Sequence, residues 1–591
     1  MTEINGDKLT HEQTSYLEGL FAGLRNRGLT FQDVNPESGK SARLQGPSLL
    51  PEDLIPEERL KRELHPLDSY GLLLQHAASN QAPDKESAFR FKWQGLFYLS
   101  PVHESYMARL RIPGGHLTSH QMRELAEISD KLTTGYVQIT TRSNLQIRLI
   151  EPKNTPEVLR RIQAVGLHTR GAGADNVRNL TCDPTSGIDP EERIATLPLV
   201  QELGQLILNQ REFSDLPRKF NIAIYGGGQI STVEDTNDIG WRAVRVEPKA
   251  DAPGLRSGDL VTEKIPAGVY FRCAVGGATG HQSFAKDLGV LVPPQEVVKV
   301  TAALLRVYSA NGNRTNRKKA RLKHLLESWS LDQYREATEK LLGQELTRIP
   351  LETAPVSSRI TPLPHSHIGV FAQKQAGLFW IGASVPVGNI STKQMRRLAE
   401  IADLYGSGEL RLTVWQNVVI PNIREGYLES AKKALVKAGL DWRQSNLKSG
   451  FIACTGNRYC KYASADTKGH ALELMKWLDS RIQLNEPINV HFTGCPNSCA
   501  QHYMGDIGLL GVKVKVEGES REGYNVLVGG GFGDHQAVGR QLFQGVTMNA
   551  LKPLLERILK TFIERRLGAE TFQHFTTRHD VGTLQVMFSE S

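Results

Sequence analysis

The feature that most constrains the fold of this chain is an internal repeat, because two segments of similar sequence must form similar structures. Residues 117–145 ("LTSHQMRELAEISDKLTTGYVQITTRSNL") match residues 390–418 ("ISTKQMRRLAEIADLYGSGELRLTVWQNV") without a gap. The offset of 273 residues also carries Pro113 onto Pro386, upstream of the match. The chain therefore contains a duplicated module.

Each copy of the repeat predicts one helix followed by two strands. In the first copy a Ser/Thr pair precedes apolar residues at helical spacing, so we expect a capped helix. Alternation at Val137 and Ile139, and the run "LQIRLI" after a turn, indicate two strands. Each copy is followed by a longer segment, 155–345 or 430–590, with a helix, strands and glycine-rich turns. The expected fold is α+β, with a half-domain and a larger domain that each occur twice, related by pseudo-two-fold symmetry.

The charge and hydropathy of the chain exclude several classes of protein. The 71 Lys and Arg against 63 Asp and Glu give a net charge of +8, which permits an anionic ligand or an acidic partner. A basic stripe with interleaved aromatic residues, typical of nucleic-acid binding, is missing from the sequence. The N-terminal sequence resembles no secretory signal, and no stretch approaches ~18 apolar residues. We expect a cytoplasmic protein that binds neither nucleic acid nor membrane.

Four of the six cysteines lie close together in "CTGNRYC" and "GCPNSC": Cys454, Cys460, Cys495 and Cys499. The other two, Cys182 and Cys273, stand alone and are predicted to be buried as small hydrophobic residues. Zinc sites usually use C-x2-C or C-x4-C spacings, so C-x5-C paired with C-x3-C matches a zinc site poorly. The spacing favours a [4Fe–4S] cluster, and zinc or buried structural thiols stay open as alternatives.

With these cysteines as its centre, the sequence resembles the sirohaem-containing nitrite and sulfite reductases over about residues 85–585. The resemblance extends, in the order of that family, through "FRFKWQGLFY", "RLRIPGG", "QITTRSNLQIR", "DNVRN", "LPRKFNIAI", "GHQSFAKDLGVL" and "NRTNRKKARLK". It implies sirohaem and a [4Fe–4S] cluster as cofactors, enclosed by the duplicated modules. It also implies that the four clustered cysteines hold the cluster and that Cys499 is the axial ligand of the sirohaem iron.

The resemblance further implies which basic residues meet the anions. Arg142, Lys319 and Arg321 are expected to hold carboxylates of sirohaem, since arginine pairs well with carboxylate. The substrate side is expected to be lined by Arg109, Arg178, Lys219 and Asn221. In a strand, Lys219 and Asn221 would point to the same face.

Asn221 also bears on the choice of substrate, because sulfite-reducing relatives typically have a second lysine at this position. A neutral amide suits nitrite, which carries one charge and two oxygens, better than sulfite. The resemblance therefore implies reduction of nitrite to ammonium by six electrons in assimilatory nitrogen metabolism, with sulfite reduction to sulfide as the alternative. No dinucleotide-binding motif is found, so ferredoxin, or else flavodoxin, is the expected electron donor. The expected assembly is a monomer.

The domain boundaries follow from the repeat and the resemblance. Residues 1–84 are predicted to form an N-terminal arm, with a short helix at 11–26 and a loop at 35–58. The predicted domains are a ferredoxin-like half-domain at 85–154, a sirohaem-binding domain without cluster cysteines at 155–345, a second half-domain at 346–429 and the [4Fe–4S]/sirohaem domain at 430–591.

Overall fold

A computed structural model of the protein describes residues 3–4, 7–8, 53–249, 252, 254–256, 258–349, 365–443 and 445–589. Near the N-terminus, β1 (Glu3–Ile4) pairs antiparallel with β2 (Asp7–Lys8). The helix predicted at 11–26 lies outside the described residues. Among the described residues, three α-helices precede the first copy of the repeat: α1 (Pro56–Glu63), α2 (Tyr70–Ser79) and α3 (Lys85–Arg90). The prediction of a loop over 35–58 is wrong for residues 56–58, because α1 begins at Pro56.

The first copy of the repeat and its flanks form strands and helices as predicted. They are β3 (Leu96–Tyr98), β4 (Tyr106–Arg109), β5 (His116–Thr118), α4 (Ser119–Leu132), β6 (Tyr136–Ile139), β7 (Leu145–Ile150) and α5 (Thr155–Ala164). Thr118 caps α4 through a reciprocal pair of hydrogen bonds with Gln121, which satisfies two free backbone amides. This confirms the capped helix and the two strands predicted from the sequence.

The segment after the first copy forms a seven-stranded sheet with flanking helices. Its elements are β8 (Thr181–Cys182), α6 (Leu197–Asn209), β9 (Ile222–Tyr225), β10 (Ile239–Glu247), β11 (Leu260–Val261), β12 (Gly268–Val275), β13 (Lys286–Val292), α7 (Val297–Asn311), α8 (Leu322–Ser328), α9 (Leu331–Leu342) and β14 (Thr347–Arg348). The strand order is β14-β13-β12-β10-β9-β8, and β11 pairs with β10.

The second copy and its following segment repeat this plan. The copy contains β15 (Gly369–Ala372), β16 (Leu378–Ala383), β17 (Asn389–Ser391), α10 (Thr392–Tyr405), β18 (Glu409–Leu412), β19 (Val418–Arg424) and α11 (Leu428–Lys437). The segment contains β20 (Phe451–Ala453), α12 (Thr467–Asp479), β21 (Val490–Thr493), β22 (Ile507–Val516), β23 (Glu519–Val528), β24 (Arg540–Thr547), α13 (Met548–Arg565), α14 (Phe572–Thr577) and α15 (Val581–Ser589). Strands β20 to β24 form one sheet in sequence order.

The two copies of the repeat exchange a strand. Strand β17 of the second copy completes the sheet of the first (β17-β6-β7-β4-β3), and β5 of the first completes the sheet of the second (β15-β16-β19-β18-β5). Helices α4 and α10 pack against each other, and their apolar faces contribute to one shared core. The half-domains are therefore interlocked, and neither sheet is complete without the other copy.

Ion pairs between α4 and α10 obey the same pseudo-two-fold symmetry and explain why charged residues recur in the repeat. Arg396 lies 2.6 Å from Asp130, and the symmetry-equivalent Arg123 pairs with Asp403. These pairs are partly exposed, so each contributes about 0–1 kcal/mol to stability, and they mainly fix the register of the two helices. The interlocked half-domains position the cavity described next.

Candidate functional site

A cavity is lined by residues from both copies of the module. Its volume of 520 Å³ is within the usual size range of cofactor sites. No acidic side chain among the described residues lines it, whereas ten basic side chains do. They are Lys92, Arg109, Arg142, Arg148, Arg178, Arg218, Lys219, Arg317, Lys461 and Lys468. Arg218 and Arg317 pair with the buried Asp175, at 3.6 and 2.8 Å, and the described residues give the other eight no ion pair.

Unpaired cations surrounded by protein are costly, because they lose their hydration without gaining a counter-ion. Burial accordingly lowers the pKa of Lys219 to about 7, with the positive charge of Arg321 adding to the effect. Burial lowers the pKa of Arg142 and of Arg148 to about 10. Lys219 and Arg142 keep some accessible surface because their heads face the cavity. Such a cavity is suited to a ligand with several negative charges.

The four residues predicted on the substrate side all line this cavity. Arg109 ends β4 and stacks over the ring of Phe97 at 4.5 Å. Arg178 has a buried Nη1 without a hydrogen-bond partner in the described structure. Both arginines thus present donors that the described part of the chain leaves unused.

Lys219 and Asn221 both line the cavity, as their alternation predicts, although the regular strand β9 starts only at Ile222. The segment is kept extended by a backbone pairing in which Arg178 N donates to Phe220 O at 2.7 Å. Phe220 points the other way and is fully buried against Tyr308. The buried Oδ1 of Asn221 has no hydrogen-bond partner among the described residues.

Asp238 fixes the position of Asn221 and also explains where Arg321 lies. Asn221 N donates to Asp238 Oδ2 at 2.8 Å, and the Arg321 guanidinium donates to both oxygens of the same carboxylate at 3.0 and 2.7 Å. Arg321 is fully engaged in this buried pair and does not line the cavity, and Lys319 is exposed in the turn Arg317–Lys319. Of the three residues predicted to meet sirohaem carboxylates, only Arg142 lines the cavity, and the carboxylate contacts themselves stay a prediction.

The four clustered cysteines also line the cavity. Cys454 and Cys460 come from the loop after β20, and Cys495 and Cys499 from the loop after β21. Burial raises the pKa of Cys495 to about 11, and the nearby Cys499, Cys460 and Cys454 contribute to this rise. Among the described residues, no three His, Cys, Asp or Glu side chains converge as ligands of a single metal ion. The lone Cys182 and Cys273 are buried, as predicted.

Glycine permits the close approach of the two cysteine loops. Gly494 N donates to Cys454 Sγ at 3.2 Å, so a backbone amide can stabilise negative charge on the sulfur. A Cβ atom at Gly494 would lie 2.6 Å from the Cβ of Ala463. Gly456 has a φ of +73°, a conformation that favours glycine.

Gly494→Ala is therefore expected to push the loops apart and to reduce the cluster bound per chain severalfold. Iron and acid-labile sulfide per chain, with the visible spectrum, measure this effect. Gly426→Ala is the matched control, because a Cβ there meets no atom within 4 Å. Equal iron content in the two variants would contradict the role given to Gly494.

Several basic residues of the cavity were not singled out by sequence reasoning. Lys92, Arg148, Arg218, Lys461 and Lys468 line it in addition to the expected residues. Arg148 is buried and donates to Thr455 Oγ1 at 2.7 Å, next to Cys454. Lys92, Arg148 and Arg218 stand inside the motifs that carry the family resemblance, so those motifs contained the signal.

Models of two protein families match the chain, in an alternating order that agrees with the duplication. The family described as the nitrite and sulphite reductase 4Fe-4S domain matches residues 173–346 and 447–582. The nitrite/sulfite reductase ferredoxin-like half domain matches residues 101–165 and 371–438.

Curated relatives and one solved structure agree with these matches. A ferredoxin–nitrite reductase of Leptolyngbya laminosa is 37% identical, over 80% of this chain and 89% of the relative. A chloroplastic ferredoxin–nitrite reductase of Betula pendula is 34% identical, over 86% of this chain and 87% of the relative. The structure of the Mycobacterium tuberculosis NirA protein superposes with a TM-score of 0.80 at 29% identity, over 90% of this chain and 97% of that one.

Proposed function

The chain belongs to the nitrite and sulphite reductase family, and on that premise we propose that it reduces nitrite to ammonium with electrons from reduced ferredoxin. The observation that carries this proposal is the cavity that ten cations and four cysteines line together. It combines a place for a polyanionic cofactor, ligands for a cluster and further cations for an anionic substrate. The relatives named above are ferredoxin–nitrite reductases.

The cofactors of this family are sirohaem and a [4Fe–4S] cluster, and the residues of the cavity fit both. Bound sirohaem would supply the iron at which nitrite is reduced, and the cluster would pass on the electrons that ferredoxin provides. Cys454, Cys460, Cys495 and Cys499 would hold the cluster, and Cys499, whose side chain is exposed, would also hold the sirohaem iron. Arg142, Lys92, Arg148 and Lys468, which have no ion pair in the described structure, would pair with some of the eight carboxylates of sirohaem.

Arg109, Arg178 and Lys219 would then bind the substrate. Their charges orient a small anion and polarise its N–O bonds, and pre-positioned donors of this kind stabilise charge that develops in the reaction. Lys219, with a pKa of about 7 before ligands bind, can also give up and regain a proton near neutral pH. The anionic ligands raise this pKa again, because they favour the ammonium form.

The preference for nitrite over sulfite is proposed to depend on Asn221. Its amide is neutral, and its buried Oδ1 is an acceptor without a partner in the described structure. An acceptor close to the substrate repels the oxygens of a doubly charged anion more than those of a monoanion. This supports nitrite as the substrate.

Asn221→Lys is expected to raise the ratio of kcat/KM for sulfite to that for nitrite by about 10- to 100-fold, since a hydrogen bond to a charged group contributes ~1.5–3 kcal/mol. Steady-state assays with reduced ferredoxin, measuring ammonium and sulfide, give the ratio. Asn221→Leu is the control of similar size without charge, and it should not improve sulfite turnover. An unchanged ratio in Asn221→Lys would remove Asn221 from the selection of substrate, and faster turnover of sulfite than nitrite by the unaltered protein would overturn the proposed function.

An external electron donor is proposed because the glycine-rich turns serve internal contacts. Gly226 N donates to the Asp183 carboxylate at 2.6 Å, and Gln229 N donates to Asp189 at 2.8 Å. Amides that already bind carboxylates cannot hold a dinucleotide phosphate, so the glycine-rich turn "IYGGGQI" (residues 224–230) does not offer a nucleotide site. No helix among the described residues has the length and apolar character needed to cross a membrane. The cytoplasmic location and the monomeric state stay predictions.

A further inference from the structure

Helix α1 contributes two buried charged side chains to the folded chain. Glu58 is 2% and Lys61 is 5% exposed, although charged side chains are almost never buried to this degree unless they are paired. The helix precedes residue 101, where the first match to either family model begins, so the family assignment gives it no role. A buried lysine loses its hydration, and only close carboxylates can compensate for that loss.

The ammonium group of Lys61 lies among three carboxylates. Its Nζ is 2.5 Å from Glu58 Oε1, 3.0 Å from Asp215 Oδ1 and 3.9 Å from Asp175 Oδ2. It also donates a hydrogen bond to Leu216 O at 3.0 Å, and Leu216 N donates to Asp175 O at 3.1 Å. Lys61 therefore joins α1 to the two segments that carry three of the four substrate-side residues of the cavity.

Asp175 connects this lysine to the wall of the cavity. Its carboxylate is fully buried and accepts hydrogen bonds from Arg317 at 2.9 and 2.8 Å, and Arg218 Nη1 lies 3.6 Å from Oδ1. Both arginines line the cavity, whereas Asp175 and Lys61 do not. Burial would raise the pKa of Asp175, but the charge of Lys61, followed by that of Arg317, brings it below its usual value. Three cations thus share one carboxylate, and two of them face the cavity.

The balance of charge decides what the two arginines can still bind. If Arg218 and Arg317 were the only partners of Asp175, its full negative charge would act on their guanidinium groups and weaken their attraction for an anion in the cavity. Lys61 compensates part of this charge from behind the wall. The guanidinium groups then keep more of their positive potential on the side of the cavity, where no acidic side chain among the described residues competes.

We propose that Lys61 is a positioning residue for cofactor binding: by compensating the charge of Asp175, it keeps Arg218 and Arg317 available to carboxylates of sirohaem. This inference rests on the proposed function, because it takes sirohaem as the ligand of the cavity. Lys61 does not line the cavity and acts only through the two arginines. Helix α1 thereby contributes to the electrostatics of the cavity as well as to the stability of the fold.

The test is Lys61→Met in the purified holoenzyme, with sirohaem per chain measured by extraction and absorbance after extensive dialysis. We expect sirohaem per chain to fall severalfold, since the uncompensated carboxylate of Asp175 draws both arginines towards itself. The kcat per bound sirohaem should stay the same, because Lys61 touches no reacting atom. Unchanged sirohaem content, or a lower kcat per bound sirohaem, would overturn the proposal.

A second substitution separates this effect from a loss of stability. In Lys61→Met/Asp175→Asn the carboxylate that the lysine compensates is replaced by a neutral group of the same shape. Sirohaem per chain should therefore recover, although a second residue of the buried ion cluster has been changed. A merely structural role of Lys61 would give a further loss of sirohaem in the double variant, and that result would contradict the proposal.

Arg314→Met is the matched single control from the same ion cluster. Arg314 lies 2.6 Å from Glu58 and 3.3 Å from Asp215, and the described residues give it no ion pair with Asp175. It should lower the midpoint of thermal unfolding, as Lys61→Met does, and keep its sirohaem. An equal loss of sirohaem in both single variants would assign the effect to stability alone.

Sirohaem content and ammonium formation are separate measurements, so the two proposals can fail separately. If the unaltered protein retains sirohaem but forms no ammonium, the proposed function fails. The ratio of sirohaem in Lys61→Met to that in the unaltered protein then still decides the role of Lys61. If nitrite is reduced to ammonium and this ratio is one, only the inference on Lys61 fails.

Discussion

Serine in place of Cys499 is expected to abolish nitrite reduction and to leave the chain folded. The Cys499 side chain is exposed in the cavity, so its loss removes little packing from the core. As the proposed ligand of both cluster and sirohaem iron, it would connect electron supply to the reacting atom. We expect a loss of at least about 10³-fold in kcat, equivalent to ~4 kcal/mol. Ammonium formation, iron content and the visible spectrum measure this result.

Cys273→Ala provides the opposite case. Cys273 is fully buried in β12 and does not line the cavity, so its truncation should cost stability of about 1–2 kcal/mol and leave colour and turnover intact. Thermal unfolding measures the loss of stability expected for Cys273→Ala, and the visible spectrum measures the loss of cofactor expected for Cys499→Ser. A Cys499→Ser protein that keeps its cluster and its turnover would show that the family assignment of this ligand does not apply here.

Lys219→Met is expected to lower kcat for nitrite by about 10²–10³-fold, the usual effect of removing one pre-positioned donor from an active site. The cofactors should remain bound, because several other cations line the cavity. The unaltered protein should also lose kcat/KM as the pH rises through the pKa of Lys219, since only the ammonium form binds an anion. The variant should lack this decline. Lys433→Met, on the exposed face of α11, is the control.

The same lysine has a second expected signature in the cofactor-free protein. Its pKa is about 7 when folded and about 10.4 when unfolded, so the unfolded chain binds more protons between these values. The free energy of unfolding should therefore increase as the pH rises from about 7 towards 10. Lys219→Met should remove this part of the pH dependence. Chemical denaturation at several pH values measures it, and identical curves for both proteins would contradict the burial of the charge.

The duplication could be predicted from sequence because helix caps, helical spacing and strand alternation are local signals that recur in both copies. The exchange of β5 and β17 could not, since pairing with a distant strand leaves no mark on the residues that pair. The repeat shows that these charged residues recur, but it does not show why. The structure gives the reason, because Arg123 pairs with Asp403 and Arg396 pairs with Asp130.

The cysteine set and its spacing could be read from the sequence alone, because two short motifs hold the four thiols at fixed separations. The family resemblance predicted Arg109, Arg178, Lys219 and Asn221 on the substrate side, and the structure brings these four residues to one cavity. Only the tertiary structure decided which cations remain available for an anion. Arg321 is neutralised by Asp238, 83 residues away, whereas Arg148 lines the cavity without an ion pair in the described structure. A charge in a sequence shows what a residue can bind, and whether it is free to do so depends on which partner the folded chain brings to it.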